Sequence, residues 1–339
     1  MRVGVNPQKG TLLETDKFVH LIVLPVYIPN LNGYYAESLK ILESCITSLR
    51  KTVHDKTFIS VINNGSCSEV KNYLIETFNA NIVNELIHTD NIGKINAVLK
   101  GIAGHNMPLI TITDADIFFK NNWQEETLKV FNNFPKAAVV GLIPQFKLFS
   151  SFSCNLIFDN FWSKNLRFTK VKNPKAMKLF YKSIGWENNY NKSYLNRHLT
   201  FSSGNCNAIV GSGHAVATYK KELFLKSDSN YSKYKLGGDS NTNFLDVHVL
   251  KYDAWRLTTE ENYAFHMGNT EEPWMRLELD KLNTSKTKFQ FNLKPYSLKV
   301  RPIAYFIKCK IFKRVLKIQF IYRFFLKIKR LPTIMIRNY

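Results

Sequence analysis

The amino-acid sequence predicts an α/β fold in which helices flank a mainly parallel sheet, followed by a basic, amphipathic, helical C-terminal tail. Strand-like apolar runs alternate with helix-length amphipathic segments through the first 145 residues, and this alternation predicts the sheet. Sixteen Lys and Arg but no Asp or Glu follow Asp280, and this asymmetry predicts the tail. Residues 281–339 thus hold sixteen of the 21 net positive charges, and the 339-residue chain is long enough to bury a full core.

Four strands are predicted in the first half of the chain. FVHLIVLPV (18–26) and TFISVIN (57–63) predict the first two, each followed by a turn and then a helix. A short third strand near 81–88 leads into a helix that ends near 103, and LITITDADIFF (109–119) predicts the fourth. This order is typical of a nucleotide-binding α/β unit.

The fourth predicted strand carries two carboxylates at its exit, Asp114 and Asp116. Acidic side chains beside a buried strand are costly unless they face water, a cation or a hydrogen-bonding partner. Because ligands collect at the carboxyl ends of the strands in an open α/β sheet, the pair suits Mg²⁺ or Mn²⁺ that carries a phosphate. A turn with Asp at favoured positions explains the same residues without any ligand.

The connections after the neighbouring strands bring polar groups to the same edge. They are residues 25–30, 63–66 and 91–94, and they supply small polar side chains, backbone donors and the cation of Lys94. These are the groups that a nucleoside diphosphate requires. Neither GxxxxGK[ST] nor GxGxxG follows the first strand, which argues against a P-loop NTPase and a dinucleotide dehydrogenase.

Four segments in this order resemble the donor-binding half of the GT-A fold glycosyltransferases, specifically the large inverting family 2: LPVYIPN (24–30), INNGS (62–66), DNIGKINAVLKGI (90–102) and TDADIFF (113–119). The resemblance covers roughly residues 18–270 and implies a Rossmann-like GT-A sheet. It also implies an enzyme that uses Mn²⁺ or Mg²⁺ to move a sugar from a nucleotide-diphospho-sugar, expected to be UDP-linked. The implied acceptor is a glycan or a lipid-linked glycan in surface polysaccharide synthesis, and the implied outcome is inversion.

The resemblance assigns site residues to this chain. Those implied to bind the nucleotide-sugar are Pro25, Val26, Tyr27, Asn63, Asn64, Asn91, Gly93, Lys94, Asn96 and Asp114. The implied metal ligands are Asp116 and His266, the latter in NYAFHMGNT (262–270), where a purely structural histidine is the alternative. Family members often carry an acid at the position of Asn63; an amide can still bond a uracil edge, so the identity of the base stays open.

The segment LGGDSNTNFLDVHVLKYDAW (236–255) supplies the candidate for proton transfer. Asp239 follows two glycines and precedes a predicted helix, and the resemblance makes it the catalytic base for the acceptor hydroxyl. A helix cap is the alternative role for this acid. Ser240 replaces the second acid of the family's motif, so Asp246 is the second candidate.

These assignments divide the chain into an N-terminal extension (1–17), a catalytic domain (18–285) and the tail (286–339). Within the catalytic domain, residues 18–145 form the nucleotide-sugar half and residues 146–285 the acceptor half. The segment 146–200 is aromatic and basic, and it either approaches the acceptor or packs on the sheet as a surface insertion.

The tail predicts contact with an anionic membrane surface. No apolar run approaches eighteen residues, which argues against a spanning helix, but a basic helix rich in Phe and Ile can lie in the interface. We therefore expect a peripheral protein on the inner, cytoplasmic face of the cell membrane, with packing of the tail on the catalytic domain or on a second subunit as the alternative. Five cysteines with no close pair in sequence favour a reducing compartment. The first residues lack the apolar h-region of a signal peptide, so we do not expect one there.

Three other functions compete with glycosyl transfer. A sugar nucleotidyltransferase also uses carboxylates on an α/β sheet, but it requires a Gly-rich phosphate loop where this chain has residues 25–30. A nucleic-acid-binding protein explains the positive charge, yet no zinc, RNP or helix-turn-helix signature is present, and nucleic acid is not an expected partner. A non-catalytic protein of the same fold is the third.

Overall fold

A computed structural model gives the fold. It describes residues 4–12, 17–186, 190–225, 231–238, 240–283, 291–295, 297–337 and 339. Within them the predicted α/β fold is confirmed: a ten-stranded sheet runs through the molecule, and helices cover both of its faces.

The described strands form the ten-stranded sheet and a separate two-stranded one. Those of the first half are β1 (His20–Val26), β2 (Thr57–Asn64), β3 (Glu85–Thr89), β4 (Leu109–Thr113), β5 (Ile117–Phe119) and β6 (Ala137–Gly141). Those of the second half are β7 (Leu166–Lys170), β8 (Arg197–Ser203), β9 (Cys206–Val210), β10 (Val216–Lys220), β11 (Trp255–Thr259) and β12 (Ala264–His266).

The described α-helices alternate with strands in the first half and close the chain in the tail. The first six are α1 (Ser38–Thr52), α2 (Ser68–Asn79), α3 (Lys94–Ile102), α4 (Trp123–Asn133), α5 (Cys154–Asp159) and α6 (Pro174–Ser183). The others are α7 (His248–Lys251), α8 (Pro273–Asp280), α9 (Pro302–Tyr305), α10 (Lys313–Leu316), α11 (Gln319–Ile328) and α12 (Thr333–Ile336).

Strand order in the large sheet is β3-β2-β1-β4-β10-β6-β11-β9-β8-β7. The pairs β3/β2, β2/β1, β1/β4 and β6/β11 are parallel, and the other pairs are antiparallel. Among the strands that the structure describes, seven of the ten in this sheet therefore run in one direction, and β10, β9 and β7 run antiparallel to them. The carboxyl ends of β1, β2, β3 and β4 consequently meet at one edge, as the sequence predicts.

The acidic segment differs from the prediction of one continuous strand. β4 ends at Thr113, residues 114–116 form a turn, and β5 leaves the large sheet to pair with β12. The reason is the pairing of β5 with β12, which sets His266 opposite Ile117 and closes a small second sheet. The two acids thus lie in a turn between two sheets.

The core lies on both faces of the large sheet, because β1 is buried on both sides. Its run LIVLPV places Ile22 and Leu24 in the cluster that includes α1, whereas Leu21 and Val23 join the cluster that includes α3. Alternate side chains of a strand point to opposite faces, so a continuous apolar run is what a strand covered twice requires. Helices on both faces hold the carboxyl edge of the sheet in place.

Residues 146–200, which the sequence left without a definite role, extend the sheet and support the site. β7 and β8 add the last two strands at one end of the sheet, and α6 packs Met177, Phe180 and Tyr181 into the core shared with α1. The described part of this segment is therefore integral to the fold.

The helix predicted after Gly238 is not a regular α-helix throughout. Thr242–Val247 is a π-helical stretch that continues into α7. A π-turn contains one residue more than an α-turn and so shifts which side chains face the core; here Leu245 and Asp246 are buried.

The tail packs on the acceptor half through one side of its helices. Phe325, Leu326, Leu331 and Tyr339 are buried in the core cluster of β7, β8 and β9. The packing alternative considered from the sequence thus describes this side of the tail. No described helix is long and apolar enough to cross a membrane.

A cluster of ion pairs joins the tail to the catalytic domain. Lys308 Nζ donates to Asp159 Oδ1 at 2.6 Å and to Asp253 Oδ2 at 2.8 Å, and Lys136 Nζ reaches the same two carboxylates at 2.5 and 3.0 Å. The five cysteines are free thiols, and Cys309 of the tail lies with Cys154 of α5 in one buried apolar cluster. The two cysteines are far apart in sequence, so their contact required the tail to fold back.

Candidate functional site

A cavity of about 410 Å³ opens at the carboxyl edge of the large sheet. Its walls include predicted binding residues from all four parallel connections: Pro25, Val26, Tyr27, Asn64, Asn91, Lys94, Asp114 and Asp116. The volume lies in the range of small-molecule sites in proteins. The structure thus brings together the residues that the sequence placed at one edge.

The turn 114–116 contains the two acids in different environments. Asp114 ion-pairs with Lys94, and its backbone N–H donates to the carbonyl of Ala215 at 2.8 Å. Asp116 has Oδ2 at 3.3 Å from Nε2 of His266, while its Oδ1 is enclosed without a hydrogen-bond partner. Burial raises the pKa of Asp116; His266 opposes this rise, and Asp114 adds to it.

The protonation of His266 follows from its second neighbour. Ser183 Oγ donates to the carbonyl of Phe180 at 2.7 Å, so it must accept a hydrogen bond from His266 Nδ1, 3.0 Å away. Neutral His266 therefore carries its proton on Nδ1 and turns the lone pair of Nε2 toward Asp116. Two electron-pair donors that face each other at 3.3 Å require a proton or a cation between them.

This arrangement fits a divalent cation with two protein ligands. Among the described residues no group of three or more His, Cys, Asp and Glu side chains is arranged to hold a metal ion. Magnesium sites in phosphate-transferring proteins commonly use one or two carboxylates together with substrate phosphates and water. Asp116 and His266 supply such a partial set, and the unpartnered Oδ1 of Asp116 is a further free donor atom.

Three of the predicted donor-binding residues do not line the cavity. Asn63 accepts from the backbone of Ser66 at 3.0 Å and donates to His88 at 3.1 Å, so its amide closes the turn after β2. Its neighbour Asn64 faces the cavity while its Oδ1 accepts from the backbone of Ile92 at 3.0 Å. Asn63 is the residue that stands where family members often carry an acid that contacts the base. Its side-chain amide thus already has hydrogen-bond partners within the protein.

Gly93 and Asn96 hold the segment 231–238 against α3. A Cβ at Gly93, where φ is +91°, would lie 2.7 Å from the carbonyl of Tyr234, so only glycine permits this approach. Asn96 exchanges hydrogen bonds with the backbone of Ser232, at 2.9 and 2.6 Å. As a result Lys235 and Leu236 become part of the cavity wall.

Sequence reasoning did not assign a role to ten of the residues that line the cavity. The cavity residues absent from the prediction are Ile28, Tyr34, Tyr35, Ser38, Ile41, Ala115, Lys235, Leu236, Gly268 and Asn269. Asn269 donates to the carbonyl of Tyr34 at 2.9 Å and so joins two loops that lie far apart in the chain. For Lys235 and Leu236, the available sequence signal was the adjacent pair Gly237-Gly238, because glycines allow a segment to approach other backbone closely.

The two candidates for the base have different outcomes. Asp239 lies outside the described residues, and its role stays a prediction. Asp246 is fully buried and pairs through one oxygen with Arg256, itself 1% exposed, and through the other with His214 Nε2 at 3.0 Å. An acceptor hydroxyl cannot reach a carboxylate that is enclosed by two partners, so Asp246 does not serve as a base in direct contact with an acceptor.

Comparison with known proteins agrees with this site. The family model described as glycosyl transferase family 2 matches residues 26–181, which run from the end of β1 into α6 and include both Asp114 and Asp116. No curated protein matches the chain.

Three solved structures are among those to which the chain is similar. S. aureus TarS 1–349 has 9% identity and a TM-score of 0.44, and the alignment covers 78% of this chain and 70% of that one. The same protein in complex with UDP-GlcNAc has 11% identity and a TM-score of 0.44, with 76% and 60% covered. The mannosyltransferase PcManGT from Pyrobaculum calidifontis, in complex with GDP-Man and Mn²⁺, has 12% identity and a TM-score of 0.45, with 92% and 72% covered.

The acidic turn and the strands that lead to it lie within residues 26–181, so it is this part of the chain that is similar to glycosyl transferase family 2.

Proposed function

We propose that this enzyme transfers a sugar from a UDP-linked donor to a hydroxyl of a glycan or lipid-linked acceptor, with inversion, in surface polysaccharide synthesis. One observation supports its dependence on Mn²⁺ or Mg²⁺ most strongly. Nε2 of His266 faces Asp116, whose second oxygen has no partner, at the edge of the cavity. Such a pair is stable once a cation lies between its members.

The cavity residues have distinct roles in donor binding. Lys94 is held by Asp114 and, together with Lys235, offers positive charge to a diphosphate. Tyr27 is 41% exposed and presents its ring to a base, and the amide of Asn64 faces the same space. When bound at Asp116 and His266, the metal ion supplies positive charge that stabilises the departing diphosphate.

Inversion requires a base on the side of the acceptor. The acceptor O–H loses its proton to this base while its oxygen bonds to the anomeric carbon from the face opposite the diphosphate. Asp239 is the residue that the sequence proposes for this step, and the Asp239→Asn variant is its test.

Calorimetric titration with UDP, in the presence and absence of Mn²⁺, tests the metal assignment. Asp116→Asn and His266→Ala should abolish the gain in UDP affinity that Mn²⁺ gives the wild type. Asp280→Asn removes an exposed acid, and His105→Ala removes the histidine of the Glu85 pair near the start of β4, so these two controls should keep that gain. Normal Mn²⁺-dependent binding by Asp116→Asn would overturn the assignment.

Product analysis separates transfer from the competing nucleotidyl chemistry. A glycosyltransferase incubated with a UDP-sugar releases UDP, whereas a sugar nucleotidyltransferase forms UTP when pyrophosphate is present. Formation of UTP without release of UDP would contradict our proposal.

We also propose attachment to the inner face of the cell membrane, where a lipid-linked acceptor would be presented. The tail helices and the residues at their ends expose several large apolar side chains, among them Ile303 (75% exposed), Phe306 (58%), Ile318 (55%) and Phe320 (79%). Trp162 of the catalytic domain, 76% exposed, contacts Phe324 and extends this surface. Monomeric soluble proteins rarely expose contiguous apolar surface of large area.

Cations border this apolar surface. Nine Lys and Arg side chains of the described tail helices and their ends are exposed: Arg301, Lys310, Lys313, Arg314, Lys317, Arg323, Lys327, Arg330 and Arg337. Each basic residue near an anionic bilayer contributes about 1 kcal/mol of attraction. Apolar side chains framed by cations match the interface of an anionic membrane.

Sedimentation with liposomes that contain phosphatidylserine tests the attachment. Replacement of Lys317, Arg323 and Lys327 by Glu removes three attractions of about 1 kcal/mol each, so binding should weaken at least roughly a hundredfold. The matched control replaces three exposed lysines of the catalytic domain, Lys71, Lys100 and Lys178, by Glu, and it should bind nearly as the wild type does. If both triple variants lost the same affinity for liposomes, the attraction would depend only on the net charge of the protein. That result would contradict the assignment of the membrane-binding surface to the tail.

A further inference from the structure

A second cavity, of about 230 Å³, lies between the tail and the acceptor half of the catalytic domain. Residues of the segment 161–167, which leads into β7, form one side of it, and residues 328–330, at the end of α11, form the other. The carbonyl of Lys329 accepts a hydrogen bond from the backbone N–H of Phe168 at 2.7 Å, and this bond holds the end of the helix against the strand. The cavity shares no lining residue with the donor cavity.

This second cavity is lined by cations and by no acid. Four of its lining residues are basic: Lys164, Arg167, Lys329 and Arg330. None of its lining residues is Asp or Glu, and no ion pair joins these four cations to a carboxylate of the described chain. The acid nearest in sequence, Asp159 of α5, pairs with Lys136 and Lys308 instead. The positive charge of the cavity is therefore left for a ligand or for ions of the solvent to balance.

Lys329 differs from the other three cations because its side chain is buried, at 2% exposure. Its Nζ donates to the carbonyl of Asn160 at 3.0 Å and to the carbonyl of Ser163 at 2.9 Å. These neutral acceptors orient the ammonium group but do not cancel its charge. Burial lowers the pKa of Lys329 to about 8, so the group is still charged at neutral pH. A buried cation without a carboxylate partner is costly, and a bound anion would offset that cost.

Arg330 has a backbone conformation that glycine adopts more easily. Its φ is +63°, and the N–H groups of Arg330 and Leu331 donate to the carbonyls of Lys327 and Leu326, both at 3.0 Å, to cap the end of α11. Glycine is the usual residue at this position of such a cap. The chain thus has a long cationic side chain where the backbone favours none, and that side chain lines the cavity.

The cavity adjoins the exposed apolar surface of the tail. Trp162 lines the cavity, is 76% exposed and contacts Phe324 of α11, with ring centroids 6.2 Å apart. Phe324 is itself 40% exposed. A phosphate group with acyl chains would therefore find cations for the phosphate and aromatic rings for the first part of the chains. Free phosphate would use only the cations.

We propose that this cavity binds the phosphate group of one anionic membrane lipid. This inference deepens the proposed membrane attachment and rests on it. The cations along the tail attract any anionic surface without selecting a headgroup, whereas charge-assisted hydrogen bonds from Arg167, Lys329 and Arg330 select a phosphate. The exposed ring of Trp162 favours a lipid over free phosphate as the source of that group.

Calorimetric titration of the intact chain with dihexanoyl phosphatidic acid tests the cavity without a membrane, when this short-chain lipid is kept below its micelle-forming concentration. We expect one lipid to bind per chain. Glycerol 3-phosphate and inorganic phosphate should bind at least about tenfold more weakly, because they have no acyl chain to contact Trp162 and Phe324. Inorganic phosphate that bound as tightly as the lipid would overturn the lipid assignment, and so would tighter binding of a single-stranded oligonucleotide.

Two variants remove one cation each from the cavity. Arg167→Gln and Arg330→Gly should each weaken binding of the short-chain lipid about tenfold to a hundredfold, because each loses a charge-assisted hydrogen bond. Glycine suits the φ of +63° at position 330, so this variant removes the cation without straining the fold. The matched control is Arg50→Gln, which removes an exposed arginine of α1 and should bind the lipid as the wild type does. Wild-type affinity in both cavity variants would overturn the site.

The outcomes separate this inference from the proposed attachment. Sedimentation of the wild type with phosphatidylserine liposomes, without binding of the short-chain lipid in solution, would leave the attachment in place and overturn the role of the cavity. Failure to sediment would overturn the attachment and, with it, the assignment of a membrane lipid to the cavity. The titrations with UDP test glycosyl transfer separately from both.

Discussion

Phe325→Ala tests whether the tail is part of the folded catalytic unit. Phe325 is fully buried, lies in the core cluster of the acceptor half and contacts Phe161 with ring centroids 5.7 Å apart. Truncation of a buried Phe to Ala removes its burial energy and leaves a cavity, which together cost about 3–5 kcal/mol. For a chain of this length that loss lowers the melting temperature by roughly 4–7 °C.

The same helix supplies a matched control. Phe320 is 79% exposed, so Phe320→Ala should change the free energy of unfolding by less than about 0.5 kcal/mol. The assay is urea unfolding of the intact protein, followed by tryptophan fluorescence and by circular dichroism. If the two variants differ by less than 1 kcal/mol, the tail does not stabilise the catalytic domain and our account of its packing is wrong.

Three further predictions concern the cavity and the core. Gly93→Ala should weaken UDP binding about tenfold in calorimetric titration, because its Cβ would displace Tyr234 and the segment 231–238 that lines the cavity. Lys94→Met should weaken UDP binding tenfold to a hundredfold in the same titration, since a charge-assisted bond is worth about 1.5–3 kcal/mol, and unchanged affinity would exclude Lys94 from the diphosphate site. Burial lowers the pKa of His198 to about 4, so its neutral form stabilises the fold fully above pH 6.5, and this contribution is lost as pH falls toward 4. Urea unfolding should therefore show about 2 kcal/mol more loss between pH 7 and pH 5 for the wild type than for His198→Gln, and equal losses would contradict the assignment.

The parallel half of the fold was predictable because its signals are local. β1 and β2 begin and end within about two residues of the predicted strands 18–26 and 57–63. Parallel strands share one carboxyl edge, so the placement of Asn64, Lys94 and Asp116 around one cavity followed from strand order alone.

The contacts that were missed join residues far apart in the chain. Asp246 had the sequence context of a helix residue near a glycine pair, and nothing local reveals that Arg256 and His214 enclose it. Its burial also depends on the π-helical stretch 242–247, which shifts the helical period that sequence patterns assume. Lys308 likewise had the pattern of a surface cation until the fold brought it to Asp159.

In the tail, apolar residues that pack on the catalytic domain alternate in sequence with apolar residues that stay exposed. Phe324 and Phe325 are adjacent, yet the first is 40% exposed and the second is fully buried. A helix that packs one side on a domain and exposes another apolar side has no single polar face, so periodicity alone could not separate packing from membrane contact. The helical backbone is interrupted at Ile318, where ψ is 122°. This interruption divides the tail into two helical parts and determines which side of each part is covered.

The central claim is that Asp116 and His266 form the metal end of a nucleotide-sugar site. A crystal structure of the protein with UDP and Mn²⁺, with the ion located by its anomalous scattering, tests it most directly. We predict one manganese ion coordinated by Asp116, by Nε2 of His266 and by oxygens of the diphosphate, with the nucleoside in the cavity beside Tyr27 and Asn64. Manganese bound elsewhere, or UDP bound in the cavity with the ion in contact with neither residue, would contradict the claim.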